Sequence, residues 1–152
     1  MFKYKSTPIV LIILLSLFSI FIFFTYRFGA KETVKNNDLM KNNIVFSGII
    51  TNLNISNNHA FGIMTLKITE TNNHLFKSSK GNEIYPYSIN DSVAEVYHFI
   101  PLEIKKGYKA VVNSNDKIIS IYDGNKFLYE WEISIVSSDI DIEFVKQHTI
   151  MK

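Results

Sequence analysis

The sequence predicts a mainly β protein, in which one membrane-spanning helix precedes a small antiparallel β domain with one short helix. Two observations lead to this fold class. Residues 8–26 form an unbroken apolar segment, and residues 44–136 contain β-branched and aromatic runs separated by turns rich in Asn, Gly, Ser and Asp. Such runs are typical of strands. Since the chain has 152 residues, the part beyond the apolar segment has room for a single small domain.

The apolar segment is predicted to be an uncleaved membrane anchor that contacts lipid through residues 8–26, after a short tail at residues 1–7. Its nineteen residues carry no charge, and at about 1.5 Å per residue they span roughly 28 Å, close to the ~30 Å hydrocarbon core of a bilayer. A signal peptidase cut after Ala30 would leave bulky Phe28 where a small residue is needed. The absence of Cys excludes a lipid-modified cysteine.

Basic residues near the anchor do not decide its orientation, because they occur on both sides: Lys3 and Lys5 before it, and Arg27, Lys31, Lys35 and Lys41 after it. A short tail ahead of a signal-like apolar core usually stays in the cytoplasm. We therefore expect a single-pass protein of the cytoplasmic (inner) membrane, with its C-terminal domain on the outer, periplasmic or extracellular face.

The charge distribution argues against nucleic acid as a partner. The net charge of the whole chain is +2, and Lys3, Lys5 and Arg27 account for three positive charges in or beside the anchor, so residues 31–152 carry −1. A nucleic-acid surface would show clustered Lys and Arg. Without Cys the chain also has no disulfides, thiolate zinc sites or cysteine nucleophiles, and no motif indicates a cofactor.

Residues 27–43 are polar without a steady period and are predicted to be a juxtamembrane linker. The domain then begins with a strand at residues 44–55, whose alternation changes phase at Gly48, and a second strand at residues 60–71 completes a hairpin. Glycine at a change of phase indicates a bulge or bend. The turn between the strands contains His59.

The middle of the domain is predicted to change from strand to helix. Residues 72–82 form a loop, and residues 84–89 form a strand that Pro86 confines to an edge or a bulge. Apolar residues then recur at i, i+3, i+4 and i+7, and Ser92 with Glu95 fits a capping box, so a helix is expected over residues 92–100. A strand is the alternative there. The stripe consists of Val93, Val96, Tyr97 and Ile100.

Three further strands complete the domain, at residues 108–113, 117–122 and 126–136. Asp123, Gly124 and Asn125 form a strong hairpin signal between the last two. In the last strand, aromatic and Ile side chains alternate with Glu and Ser, which predicts one core face and one solvated face. The core face comprises Phe127, Tyr129, Trp131, Ile133 and Ile135. Residues 137–152 are expected to add an edge strand or to remain a tail.

This order of elements, with a bent first strand, a helix after the third strand and a closing hairpin, resembles an oligonucleotide/oligosaccharide-binding (OB) β-barrel over residues 44–136. Residues 46–50 (FSGII), the turn at Asn58 and His59, and residues 104–112 (IKKGYKAVV) also resemble small uncharacterised bacterial membrane-tethered proteins with an OB-like domain. An acidic residue often follows the Gly in those proteins, whereas Tyr108 stands here. The resemblance implies a fold, and it implies no activity.

The candidate ligand-binding residues are His59, Tyr85 and Tyr87. His59 lies in the first hairpin loop, which borders the binding face of OB barrels, and Tyr85 and Tyr87 flank Pro86, where exposure is expected. The other histidines lack metal-ligand spacing, and no residues form a catalytic pattern. The acidic series is interpreted as a solvated edge: Glu130, Glu132, Asp139, Asp141 and Glu143.

The function expected from these features is that of a non-catalytic interaction or accessory module at the cell envelope, with an envelope protein as partner. The alternative is a tethered domain that binds a small ligand or a glycan through His59 and the two tyrosines. No metal site and no catalytic residue are expected. A barrel fold by itself specifies no chemistry.

Overall fold

The structure is a computed structural model that describes residues 7–80 and 83–151. The chain divides into two compact units, Met1–Asp38 and Leu39–Lys152. Helix α1, Thr7–Met40, supplies the first unit and the beginning of the second. The second unit holds helix α2, Asp139–His148, and the strands β1 Val45–Ile55, β2 Phe61–Thr71, β3 Leu75–Phe76, β4 Ser79–Lys80, β5 Glu83–Ile84, β6 Tyr87–Asn90, β7 Val93–Phe99, β8 Lys109–Asn113, β9 Ile118–Asp123 and β10 Lys126–Glu132.

Helix α1 contains the predicted anchor. Its segment Val10–Arg27 has a mean hydropathy of 2.2 and is long and apolar enough to cross a membrane, a test that signal sequences also pass. None of this segment is buried against the rest of the described chain. The helix continues through most of the predicted linker and ends at Met40, whose side chain is buried in the core of the second unit.

Eight of the strands form one antiparallel sheet in the order β10-β9-β8-β1-β2-β7-β6-β3, and β4 pairs separately with β5. The mainly β, antiparallel prediction is therefore confirmed. The sheet is open, because no ladder within residues 7–80 and 83–151 joins β10 to β3. The predicted closed barrel is not confirmed.

The bulge predicted at Gly48 of strand β1 is confirmed. Its register with β2 shifts between Ser47 and Gly48 and again between Ile50 and Asn52. A Cβ atom on Gly48 would lie 2.6 Å from the carbonyl oxygen of Lys67, so the close approach of β2 requires glycine there. The turn after β1 is also confirmed, with His59 and Ala60 both in the left-handed region.

The predicted helix at residues 92–100 is wrong, and the alternative of a strand is correct. Residues Val93–Phe99 form β7, which pairs with both β2 and β6. The four residues from Ala94 to Tyr97 are all buried, since both faces of this inner strand are covered. A strand buried on both faces loses its alternation, and its apolar residues then match a helical period by coincidence.

The predicted strand at residues 84–89 is divided at Pro86 into β5 and β6. The edge of the sheet beside β6 is the two-residue strand β3, which lies within the predicted loop at residues 72–82. Residues 81 and 82 of that loop lie outside the described residues. Proline thus stands between two ladders, where its missing N–H donor costs no ladder bond.

The second hairpin is confirmed, with Gly124 at a φ of 58° between β9 and β10. The alternation predicted for β10 is wrong at Phe127. A register shift places Phe127 opposite Tyr122 but Tyr129 opposite Ile121, so the two aromatic side chains lie on opposite faces. Phe127 is 53% exposed, whereas Tyr129 and Trp131 pack against the core.

The C-terminal segment forms helix α2, so the expectation of an edge strand or a tail at residues 137–152 is wrong. Ile142 and Val145 lie on one face of the helix and pack with Ile63, Tyr97 and Val136 in a second apolar cluster. Acidic residues in the first turn and basic residues in the last turn complement the helix dipole. In the described part of the chain, the helix that packs on the sheet therefore comes after the strands rather than among them.

Candidate functional site

The strongest candidate site is a cleft where the end of β7 faces α2 and the segment that connects β10 to α2. We call it the α2 cleft. Its volume is about 260 Å³, and its lining combines aromatic rings, two aliphatic side chains, serines and one carboxylate: Phe61, Tyr97, His98, Phe99, Ser134, Ile135, Val136, Ser137, Ser138 and Asp141. Most of these residues lie at the end of β7 and in residues 134–138, whereas the first hairpin contributes Phe61 and α2 contributes Asp141.

A wider surface groove of about 710 Å³ is lined by the turn of the first hairpin and by α2, and we call it the hairpin groove. Most of its exposed lining surface is apolar, although polar residues are the majority of those that line it: Ser56, Asn57, Asn58, Asp139, Ile140, Glu143, Phe144 and Gln147. The Nδ2 atom of Asn58 donates a hydrogen bond of 2.9 Å to Oδ1 of Asp141. This bond and the edge contact between Phe61 and Phe144 tie the first hairpin to α2.

His98 in the wall of the α2 cleft makes contacts on two strands. Its Nδ1 atom lies 3.0 Å from the carbonyl oxygen of Phe99, and its Nε2 atom lies 3.0 Å from the carbonyl oxygen of Glu132. The ring stacks on Trp131 with centroids 6.1 Å apart, and Trp131 stacks on Tyr129. The side chain of His98 thus connects β7 to the end of β10, two strands that no backbone ladder joins among the described residues.

Beside the cleft, a buried carboxylate holds the end of α2. Glu95 on β7 is 1% exposed. Its Oε2 atom accepts hydrogen bonds from the hydroxyls of Thr149 and Tyr97, and Oε1 accepts one of 3.1 Å from the backbone N–H of Ile150. Burial, and then the negative charge of Glu95, raise the pKa of Tyr97, so its phenol stays protonated as a donor.

The three ligand-binding residues predicted from the sequence do not form one site. His59 is exposed in the turn between β1 and β2, next to Asn58, but it lines neither the cleft nor the groove. Tyr85 and Tyr87 contact the ring of Phe76, with centroids 5.1 and 5.2 Å from it. The ligand-binding roles of His59 and Tyr85 stay predictions.

The expected exposure of Tyr87 is wrong. Its side chain is 0% exposed, its ring packs on Phe46, and its hydroxyl donates a 2.9 Å hydrogen bond to Oδ1 of Asn42. Burial raises the pKa of Tyr87. The error arises because a new strand, β6, begins directly after Pro86. The side chain of its first residue, Tyr87, points into the main core.

Sequence patterns do not single out the residues that define the cleft, namely His98, Asp141 and the serines at 134, 137 and 138. The helical period predicted for residues 92–100 hides the fact that Glu95 and His98 lie on a strand. A glutamate in the middle of an apolar β-branched run is the one available signal, since buried carboxylates need dedicated partners.

The α2 cleft is suited to hydrogen bonding and to stacking against aromatic rings. Serine hydroxyls both donate and accept, and the Asp141 carboxylate accepts. Within residues 7–80 and 83–151, no group of three His, Asp or Glu side chains is placed to hold a metal ion. Comparison with protein-family models, curated proteins and solved structures finds no match to this chain.

Proposed function

We propose that this chain is a single-pass membrane protein whose sheet domain serves as a non-catalytic interaction or accessory module at the cell envelope. The membrane anchor is inferred from the segment Val10–Arg27, whose apolar side chains are covered by no other part of the described chain. Lipid is the environment that favours such a surface. The domain lies on the outer face of the cytoplasmic membrane.

The OB-like character of the domain belongs to this proposal. Strand β1 is long and bent, and it pairs with both β2 and β8, so the sheet continues in both directions from a curved central strand. The contact of His98 with the end of β10 brings the two halves of the sheet together. These features support a curved sheet related to a partly open barrel. The resemblance of the sequence to bacterial membrane-tethered OB-like proteins supports the same proposal.

Orientation is testable because the chain has no Cys, so single cysteines can be introduced for labelling. Leu102 is 90% exposed in the sheet domain, and Lys3 lies in the N-terminal tail. With a membrane-impermeant maleimide on intact cells with a permeable wall, we expect Leu102→Cys to be labelled and Lys3→Cys to be labelled only after lysis. The reverse pattern would place the domain in the cytoplasm.

The interaction role predicts that partners contact the α2 cleft and the hairpin groove. A photoreactive amino acid at exposed Ser134 or Asn57 should crosslink a defined envelope protein in living cells. The same probe at exposed Asp116, in the turn between β8 and β9, is the control. Equal adducts from all three positions, or adducts of this chain only with lipid, would contradict a protein partner at this surface.

A second candidate function is the binding of a small polar ligand or a glycan in the α2 cleft. The observation that favours it is the combination of aromatic rings with serine hydroxyls and a carboxylate in one concave site. Trp131, the single tryptophan, contacts His98 in the cleft wall and reports on this site by fluorescence. Soluble oligosaccharides should change that fluorescence saturably in the wild type and not in Phe99→Ala, and no response in either would count against this function.

A further inference from the structure

The part of α2 that lines the hairpin groove presents an apolar row beside an acidic row. Ile140 and Phe144 are one helical turn apart and form the apolar row. Asp139 and Glu143 are related in the same way and form the acidic row. Ile140 is 65% exposed, and most of the exposed lining surface of the groove is apolar. The groove therefore suits a group that combines an apolar side chain with positive charge.

No cation in the described lining of the hairpin groove balances these carboxylates. The lining contains Asp139 and Glu143 but no Lys, Arg or His. Within the described chain neither carboxylate is in an ion pair, and Glu143 accepts a hydrogen bond of 2.8 Å from Gln147. Opposite charges that meet across an interface favour the encounter and fix its register.

A loop with the complementary character connects β7 to β8, and we call residues 101–107 the lysine loop. Its Leu102 is 90% exposed. The loop is held in place, because the side chain of Ile104 is buried and the N–H of Gly107 donates a hydrogen bond of 2.8 Å to the carbonyl oxygen of Ile50. A loop that is already fixed loses little conformational freedom when it binds.

The lysine loop also carries a net positive charge. Lys105 and Lys106 are both exposed, and Glu103 is the one acid in the loop. Neither lysine is in an ion pair with another described residue. A single exposed leucine is ordinary on a protein surface, so the contact is favoured by the match of the loop to the groove in both polarity and charge.

We propose that the lysine loop of one copy of this chain docks in the hairpin groove of a second copy. Leu102 then covers Ile140 of the second copy, and the two lysines face its two carboxylates. Because the two surfaces differ, the contact can repeat from copy to copy.

A contact of this size is weak and exchanges rapidly, so Leu102 stays accessible to reagents between encounters. Copies anchored in one membrane meet at a high local concentration, which compensates for the low affinity. The gain in local concentration rests on the proposed anchor, whereas the match between the two surfaces does not.

The first test is crosslinking between two differently tagged full-length copies in phosphatidylcholine vesicles, which is possible because the chain has no Cys. Glu103→Cys in one copy and Asn57→Cys in the other place a thiol beside each surface and leave the proposed contacts intact. A short bis-maleimide should join the two tagged copies. Leu102→Ser in the loop copy should lower the yield about tenfold, because the apolar part of the contact is lost.

The control for this crosslink is Asp116→Cys in place of Glu103→Cys. Asp116 is equally exposed to reagent in the turn between β8 and β9, outside both surfaces. Its adduct with Asn57→Cys should stay at the level of random collision.

The second test exchanges the charges of the two surfaces. Lys105→Glu with Lys106→Glu in the loop copy should lower the yield about tenfold, since like charges then meet. Asp139→Lys with Glu143→Lys in the groove copy should do the same, and the two reversed copies together should restore the adduct. Lys126→Glu, at an exposed lysine of β10, is the control and should change nothing. If the reversed groove copy unfolds, the loop variant and this control decide the question.

Any of three results would overturn the contact between copies. These are a Glu103→Cys adduct no stronger than that of Asp116→Cys, a reversed loop copy that crosslinks as well as the wild type, and two folded, reversed copies that fail to restore the adduct. None of them bears on the envelope partner, which the photocrosslinking from Ser134 tests in cells. Conversely, adducts between copies without any envelope protein at Ser134 would support self-association and remove that partner.

Discussion

Glu95 is a carboxylate in the interior of a small domain, and its hydrogen bonds explain how it is tolerated there. Both of its oxygens accept bonds, from the hydroxyls of Tyr97 and Thr149 and from the backbone of Ile150. Burial of a charge without partners is strongly unfavourable, whereas a carboxylate that accepts several bonds is stabilised. Glu95 therefore acts as the point at which the residues after α2 are held to the sheet.

Replacement of Glu95 by Gln should weaken this attachment. The amide keeps the size of the side chain, but its NH₂ group would face donors, so at least one buried partner is left unsatisfied. We expect Glu95→Gln to lower the free energy of unfolding by about 2 kcal/mol and to increase hydrogen exchange at Ile150. Urea unfolding of the full chain in detergent measures the first effect.

The exposed Glu103 provides the control for this substitution. Glu103→Gln removes the same charge from solvent and should change the unfolding free energy by less than about 0.5 kcal/mol. Equal effects of the two substitutions would show that Glu95 contributes only charge and no specific hydrogen bonds.

The buried phenol of Tyr97 predicts sensitivity to alkali. Its pKa is raised above the ordinary value of 10.0 in the folded protein, mainly by burial. At pH values above about 10 the unfolded chain releases this proton while the folded chain keeps it, so stability is full below that pH and declines above it. Circular dichroism should show alkaline unfolding that is shallower in Tyr97→Phe, and an unchanged slope in that variant would contradict the assignment.

Strand β1 carries two irregularities in the interior of the sheet. Its two register shifts lie on either side of the segment from Gly48 to Ile50, and Gly48 lies directly against the backbone of β2. A bulge increases local twist and bends the strand that carries it. The same strand can therefore pair with β2 along its length and with β8 along its first half.

Addition of a single methyl group at Gly48 should disturb this element. The Cβ atom of Gly48→Ala would lie 2.6 Å from the oxygen of Lys67 and 3.1 Å from Cβ of Leu66, and neither can move without displacing β2. We expect a loss of about 1–3 kcal/mol in the free energy of unfolding, measured with urea. Gly29→Ala is the control and should not be destabilising, because the new Cβ atom on helix α1 would meet no atom of another described segment within 4 Å.

Helix α2 is amphipathic, and its apolar face is the one that packs on the sheet. Val145 and Ile142 are buried against the second apolar cluster, whereas Ile140 is 65% exposed beside the hairpin groove. The helix covers Ile63 on β2 and Tyr97 on β7, so it shields one face of the sheet. In doing so it also forms one wall of the cleft, which links the stability of the domain to the shape of the candidate site.

At the scale of the whole molecule, the length and polarity of α1 predict how the protein partitions. The wild type should remain in the membrane fraction after extraction with alkaline carbonate. Phe18→Arg places a charge near the middle of the apolar segment, at a cost of about 2.5–3.5 kcal/mol for insertion, and should raise the extractable fraction. Fractionation followed by immunoblotting measures this.

The control for Phe18→Arg is Leu102→Arg, because Leu102 is also exposed and apolar but lies in the sheet domain. It should leave the membrane fraction unchanged. If both substitutions release the protein equally, the attachment depends on surface hydrophobicity in general rather than on a spanning helix.

The hairpins and the bend could be predicted because their signals are local. Gly48, Gly124 and the turn at His59 each specify a backbone conformation that few neighbours can override. Periodicity was less reliable where both faces of a strand are covered, as in β7, or where a bulge shifts the phase, as between Phe127 and Tyr129. In these cases burial is decided by strands that are distant in the sequence.

The sequence by itself determined an apolar segment of membrane-spanning length, a β-rich domain, and the positions of its tight turns, since these depend on composition and on backbone preferences of neighbouring residues. The tertiary structure alone decided that β7 is a strand, that residues 139–148 form a helix, that His98 and Asp141 line one cleft, and that Asn58 bonds Asp141. The physical reason is that burial and hydrogen bonding between distant segments outweigh the small differences in local propensity.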